Sequence, residues 1–302
     1  MTIKALTLAQ ILVLTRVSLM LVEMALIKAG VVRGHFTWRD TLASLVMRAG
    51  NYTSYALVAG VTYASFRFFY DHRLFHIPWD SPWTWVSIVV LDDFAYYWFH
   101  RWSHEVRFWW AAHVNHHSSQ EYNLSTAVRQ TWTGAIVGTW APWFVLAWIG
   151  FPIELIFLQS GLNLLYQYWI HTEAIRRLPA WYEYVFNTPS HHRVHHASNP
   201  RYVDRNYAGM FMAWDRLFGT FAAERDDDPP KYGLIHNIDT YNPIKIAFHE
   251  WVAIFRDLKR ARSLREAFMY VFGPPGWRPD GAGPTAANVR AAWLRETARS
   301  LA

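Results

Sequence analysis

Cysteine is absent from all 302 residues. That absence excludes a disulfide framework, thiolate-ligated zinc, iron–sulfur clusters and thiolate-ligated haem. Charge is scarce as well. Asp, Glu, Lys and Arg make up 17% of the chain, where ordinary soluble domains carry about 25%. There is no collagen-like period, no low-complexity tract and no internal repeat of solenoid length. What fills the space is aromatic: 18 Trp, 16 Tyr and 19 Phe raise aromatic residues to 18% and apolar ones to 52%. This composition excludes a disordered chain. Mean hydropathy is only −0.03, because hydropathy scales rate Trp, Tyr and His as neutral or polar. The net charge of +6 suits an anionic membrane face. No basic stripe accompanies a recognition motif, so nucleic acid is not an expected partner.

Long apolar runs mark an all-α, polytopic membrane bundle of four or five spans. Residues 5–29 are long enough to cross a bilayer; Arg16 and Glu23, seven apart, share one helical face and are expected to face protein. The other reading of this run is an amphipathic helix lying at the interface. Residues 51–70, 82–99, 132–149 and 153–170 are the further candidate spans, the last two joined by a tight turn at Gly150-Phe151-Pro152. Arginines concentrate in loop 30–50 and in the stretches 100–131 and 171–205, which places these on the cytoplasmic side and loop 71–81 and the 150 turn opposite. Residues 1–302 then read as a single membrane-bound domain: an N-terminal span and basic loop (1–49), a core (50–280) and a basic helical tail (281–302). The tail suits either anionic headgroups or packing on the core.

Histidine carries the chemistry. His100 and His104 form an HxxxH pair; His113, His116 and His117 form an HxxHH box; His192, His195 and His196 form a second one, preceded by His191; His171 closes the last apolar run. On a helix the i and i+4 rings reach one ion. In each HxxHH box the i and i+3 rings are expected to share a face, with the adjacent ring serving a neighbouring site. All of these lie at or just beyond the cytoplasmic ends of spans. Nine imidazoles exceed what one ion takes, so a His-rich cytoplasmic cap holding two metals is expected. Imidazole suits Zn, Cu, Fe and Ni alike. Iron ranks first because the site opens towards apolar helices, and an unactivated lipid C–H bond needs an oxidant made from O2. His35, His72, His76, His236 and His249 are isolated and read as ordinary surface or core residues.

Supporting groups follow from helical arithmetic. Asp93 lies within roughly 40° of the face of His100 and His104, where its carboxylate is placed to accept an imidazole N–H or to meet another polar group of the bundle. Asn163, Gln167 and His171 recur every four residues on an apolar helix, a polar ladder that must face protein or a cavity. Glu105 and Glu173 are candidate metal or proton-transfer carboxylates, or else surface groups.

The strings DDFAYYWFHRWSHE, WWAAHVNHHSSQEYNLSTAVRQ, NLLYQYWIHTE, NTPSHHRVHHASNPRYVDRNYAG and WDRLFGTF resemble the fatty acid hydroxylase/sterol desaturase superfamily of membrane di-iron enzymes. The likeness is greatest to its tetrahydropterin-dependent, ether-lipid-cleaving members, and to shorter, bacterial-type chains among them. The resemblance runs roughly from residue 50 to 280. It implies that His100, His104, His113, His116, His117, His192, His195 and His196 are iron ligands, with His171 matching an additional histidine of the family and His191 outside the inner set. It also implies two iron ions, O2, and tetrahydrobiopterin or a related pterin as the external reductant, with a lipid substrate drawn from the bilayer. Cleavage of an alkylglycerol ether to a fatty aldehyde is the leading expectation. Hydroxylation or desaturation of a sterol, carotenoid or fatty acyl chain with another electron donor is the alternative.

Overall fold

The structure, a computed structural model, describes residues 7–300. Among these there are thirteen α-helices and one short 3-10 helix; the only extended pairing is three isolated bridges. Helix α1 (Leu8–Lys28) is closed at its start by Thr7 and Gln10 in a reciprocal capping box. Helix α2 (Trp38–Asp71) starts at Thr37, whose hydroxyl accepts from Asp40 N. Its 34 residues make it about 51 Å long. The expected basic loop 30–50 is therefore largely helical, and Arg39 and Arg48 stand on α2 rather than in a loop. Helix α3 (Pro82–Glu105) begins with proline at its first position and runs without a break through His100 and His104.

The segment 132–149 is not a span. It is a series of turns followed by a 3-10 helix (Ala141–Trp143) and the six-residue α6 (Phe144–Ile149). The cause is local. Gly134 and Gly138 interrupt it, the latter at φ 73, Pro142 adds another breaker, and the hydroxyls of Thr131 and Thr139 bond nearby backbone groups. Helix α6 instead packs against the end of α2, and Leu74 N and Phe75 N donate to Trp148 O (2.8 Å) and Ile149 O (3.1 Å). Loop 71–81 and the 150 turn are thus brought together, on the far side of α2 and α3 from the histidines.

By length and apolarity, one helix among the described residues is able to cross a membrane, over Gln10–Lys28. Helices α2, α3 and α7 (Ile153–Trp169) turn polar residues inward while leaving Leu57, Val61, Phe68, Trp83, Val86, Leu162 and Leu164 exposed. Their apolar cores are shared: Phe66, Ile88, Leu146, Phe151, Leu155 and Ile156 form one buried cluster.

The remaining helices build a cap over one end of this bundle. Val106 breaks α3 from α4 (Arg107–His117), and Arg107 is clamped to Glu250 (2.6 Å) and Asp257 (2.7 Å) of α11 (Pro243–Leu258). Helices α5 (Leu124–Ala127), α8 (Ala180–Val185), α9 (Pro189–His195) and α10 (Ala213–Leu217) are short; α12 (Leu264–Phe272) lies beside α4 and α11. Helix α13 (Ala286–Ser300) docks on the cap: Trp293 lies 5.0 Å from the Arg201 guanidinium, and Arg290 bonds the carbonyl of Val203. Among the described residues the basic tail thus contacts the cap through Trp293 and Arg290.

Candidate metal centre

Nine imidazoles from four parts of the chain converge between the bundle and the cap. They fall into two groups: His100, His104, His113, His117 and His195, and His116, His171, His192 and His196. Within each group, one donor nitrogen per residue lies within 4.8 Å of the others. The division corrects the expected pairing within the HxxHH boxes. His113 goes with His117, and His192 with His196, while His116 and His195 cross to the other group. Residues four apart on a helix differ by about 40° in direction and those three apart by about 60°, so the i and i+4 rings keep one ion position and the i+3 ring swings to the next.

Backbone carbonyls set the orientation of the rings. The Nδ1–H of His100 donates to Tyr207 O (2.9 Å), that of His116 to Arg129 O (3.1 Å), that of His171 to Gln167 O (2.7 Å) and that of His195 to Arg205 O (3.0 Å). His104 Nδ1 donates to the carboxylate of Asp204 at 3.2 Å. A carbonyl only accepts, so each ring holds its proton on Nδ1 and aims an Nε2 lone pair inward. His171 Nε2 and His116 Nε2 then face each other at 3.2 Å with a lone pair on each. Two lone pairs at that separation repel, and a cation between them removes the conflict. The spacing suits one: metal–imidazole bonds of about 2.0–2.1 Å put neighbouring donor nitrogens about 3 Å apart. His104 Nε2, His195 Nε2 and His196 Nε2 are buried with no hydrogen-bond partner, which for a ligand nitrogen is the expected condition.

Burial also holds the rings in the state that ligates. Desolvation, followed by the neighbouring imidazoles, pushes His100, His113, His117, His171, His192, His195 and His196 well below the ordinary histidine range. His116 is lowered by burial to about 4. Neutral imidazole is the form that binds a metal.

A cavity of about 820 Å³ opens onto this centre, and His113, His116 and His171 form part of its wall. Both groups of imidazoles therefore meet the same space. Its far reach is apolar, between Tyr63 and Phe66 of α2 and Ile156, Phe157 and Leu164 of α7.

Residues 85–220 match the fatty acid hydroxylase family model. Over 238 residues the chain is 44% identical to alkylglycerol monooxygenase of Homo sapiens, covering 79% of this chain and 50% of that protein. It is 42% identical over 221 residues to alkylglycerol monooxygenase of Xenopus tropicalis (73% and 48% covered). The Danio rerio alkylglycerol monooxygenase is 38% identical over 246 residues (81% and 54%). The chain spans about half the length of these curated relatives. No solved structure matches it.

All nine histidines fall within the matched residues 85–220, but the supporting groups expected from the sequence are distributed differently. Asp93 reaches no imidazole. Its oxygens accept from Met210 N (2.6 Å), Phe211 N (3.0 Å), Trp214 Nε1 (3.0 Å) and Asn163 Nδ2 (3.3 Å), so it ties the 209–214 segment down onto α3. Gly209 permits this approach, since a Cβ there would stand 2.7 Å from Asp93 Oδ1 and from Asn163 Oδ1. The ladder on α7 is continuous: Gln167 Nε2 donates to Asn163 Oδ1 (2.7 Å), and Asn163 Nδ2 donates to Asp92 (3.0 Å). Its link to the centre is the main chain of Gln167, not the side chain. Glu105 pairs with Arg101 and Glu173 accepts from the Tyr232 hydroxyl; among the described contacts neither meets a histidine. His191 lies outside both groups, against Phe221 and Thr188.

The groups missed by sequence reasoning are Asp204 and the four carbonyls. Asp204 and Asn206 both adopt positive φ, 55 and 56. Asn206 bonds His191 O and Ala222 O, and Asp215 accepts from Tyr207 N (2.9 Å) and Ala208 N (2.8 Å). This bracing turns the carbonyls of Arg205 and Tyr207 towards His195 and His100. A carbonyl has no residue signature. The only trace in the sequence is the polar string 204–206 shortly after the second HxxHH box.

Proposed function

We propose that the chain is a membrane-bound, O2-dependent di-iron monooxygenase that hydroxylates the alkyl chain of an ether lipid next to the ether oxygen. The observation that carries this reading is the pair of all-imidazole groups walled into one end of a long, largely apolar cavity. The likeness to alkylglycerol monooxygenases supports the choice of an ether lipid. With O2 and two reducing equivalents, the CH2 beside the ether oxygen becomes CH(OH) and one water is released. The hemiacetal then breaks to a fatty aldehyde and a glycerol derivative. The reductant is an external pterin of the tetrahydrobiopterin type, and the lipid comes from the bilayer.

His100, His104, His113, His117 and His195 would hold one iron, and His116, His171, His192 and His196 the other. Bound there, iron supplies the activation of O2 that no amino-acid side chain provides. The protein does the rest. The carbonyls of Arg129, Gln167, Arg205 and Tyr207, with Asp204, hold the rings in one tautomer and orientation. The apolar walls from α2 and α7 align the alkyl chain and exclude water. We place the histidines on the cytoplasmic face of the membrane, where the arginine-rich segments lie.

The test is direct. The chain purified in mild detergent is assayed for metal, then incubated with an alkylglycerol, a tetrahydropterin and O2. Bound iron near two per chain and release of a fatty aldehyde are expected. A hydroxylated lipid that stays intact would move the assignment to another hydroxylase reaction. Absence of O2 consumption with any lipid would overturn it.

A further inference from the structure

The wall of the cavity also carries two arginines, Arg16 of α1 and Arg48 of α2. Neither takes part in an ion pair among the described residues. The acids on the neighbouring elements are already engaged. Glu23 accepts from Leu124 N (2.6 Å) and from Thr172; Asp40 pairs with Arg129; Asp92 accepts from Trp143 (2.7 Å), Ser160 (2.6 Å) and Asn163 (3.0 Å). Arg16 Nε is buried with no partner. Arg48 gives one hydrogen bond, to Asn51 Oδ1 at 3.2 Å, and lies 4.3 Å from the Tyr52 ring. A guanidinium offers five donors, so most of this capacity is unspent. The two like charges also act on one another, a conflict that an oxyanion between them would relieve.

Position gives the ligand its shape. The arginines share their end of the cavity with Asn51, Val128, Gln130 and Thr131, and the carbonyl of Arg129 in that stretch orients His116. The apolar end at Phe66 is eighteen residues along α2 from Arg48, about 27 Å. A charged head at the Arg48 end would leave the reacting carbon near His116 and a long tail running towards Phe66. We infer that Arg16 and Arg48 form an oxyanion subsite for the headgroup, and that the preferred lipid is an alkyl ether of glycerol bearing a phosphate. This deepens the proposed function and rests on its placement of the reacting carbon near the histidines. The arginines are specificity-determining residues of α1 and α2, both outside the matched residues 85–220.

The experiment is a binding titration of the purified full chain in detergent, followed by tryptophan fluorescence; Trp140 and Trp143 line the cavity. The ligands are 1-O-hexadecylglycerol, its 3-phosphate and inorganic phosphate. The phosphorylated lipid is expected to bind about tenfold more tightly than the neutral one, as one charge-assisted contact implies. R16Q and R48Q are expected to erase that difference, and R48K to retain part of it. Equal binding of the two lipids by the unaltered chain overturns the inference without need of any variant. So does a preference that survives both glutamine substitutions, or inorganic phosphate binding as tightly as the phosphorylated lipid, which would mark a site for the free anion. Aldehyde release is measured in parallel. Aldehyde without a phosphate preference leaves the reaction standing and removes the subsite. A phosphate preference without aldehyde does the reverse.

Discussion

At the scale of single residues, the centre depends on where each imidazole keeps its proton. His116 and His195 are each the member of an HxxHH box that crosses to the other group, so each would serve a different ion. Replacing either by alanine is expected to lower bound metal and to cut turnover by more than about a hundredfold, measured by elemental analysis and aldehyde release on the same preparation. H72A and H249A are expected to change neither, because these rings bond only nearby carbonyls, Phe68 O and Ile246 O. Among the described residues, Asp204 is the one carboxylate bonded to a ring of the two groups, at His104 Nδ1. D204N replaces a charged acceptor by a neutral amide whose carbonyl still accepts. Metal affinity is expected to fall by about ten- to a hundredfold in a competition titration with a chelator, with the fold intact. Unchanged affinity would mean that Asp204 only shapes its own turn.

At the scale of elements, the site depends on turns and breaks as much as on helices. Val106 separates α3 from α4 so that two histidine-bearing helices double back on one another. The 150 turn fixes the other end. Gly150 has φ 126, and a Cβ there would stand 2.0 Å from Phe75 O. G150A is therefore expected to destabilise the protein by on the order of 2–3 kcal/mol, read as a lower melting temperature, while metal binding at the opposite end persists in the folded fraction. The sequence placed a glycine–proline turn here correctly. It could not show that the preceding apolar run would stay irregular, because Gly134, Gly138 and Pro142 act against a helix only when neighbouring hydroxyls and α2 offer the backbone other partners. The same holds for α2, where the cluster of arginines read as a loop became part of a long helix once Thr37 capped it and Asp40 met Arg129.

At the scale of the whole molecule, metal and stability are coupled through protons. Burial pushes His100, His113, His117, His171, His192, His195 and His196 below the ordinary value of about 6.5, and His116 to about 4. Between those two pH values the unfolded chain binds more protons than the folded, metal-free chain, so stability falls as pH falls through this window and is constant above it. Chelator-treated protein is expected to melt at a lower temperature at pH 5 than at pH 7.5. Protein carrying its metal is expected to resist the change until acid displaces the ion. A melting temperature of the stripped protein that is flat or rises towards pH 5 would contradict the neutral, buried state of the rings.

The sequence by itself determined the helical class, the nine histidines and the polar ladder on α7, because helix periodicity and imidazole spacing are local properties of the chain. It also marked Arg16 as a charge inside an apolar helix that had to face something other than lipid. Only the tertiary structure decided how the histidines divide between two groups, that Asp93 secures a loop instead of a ring, and that main-chain carbonyls of Tyr207, Arg129 and Arg205, all in loops, hold the proton of three imidazoles. Those contacts join residues as much as 107 positions apart through groups that every residue possesses. No residue type announces them, and they exist only once packing has brought the segments together.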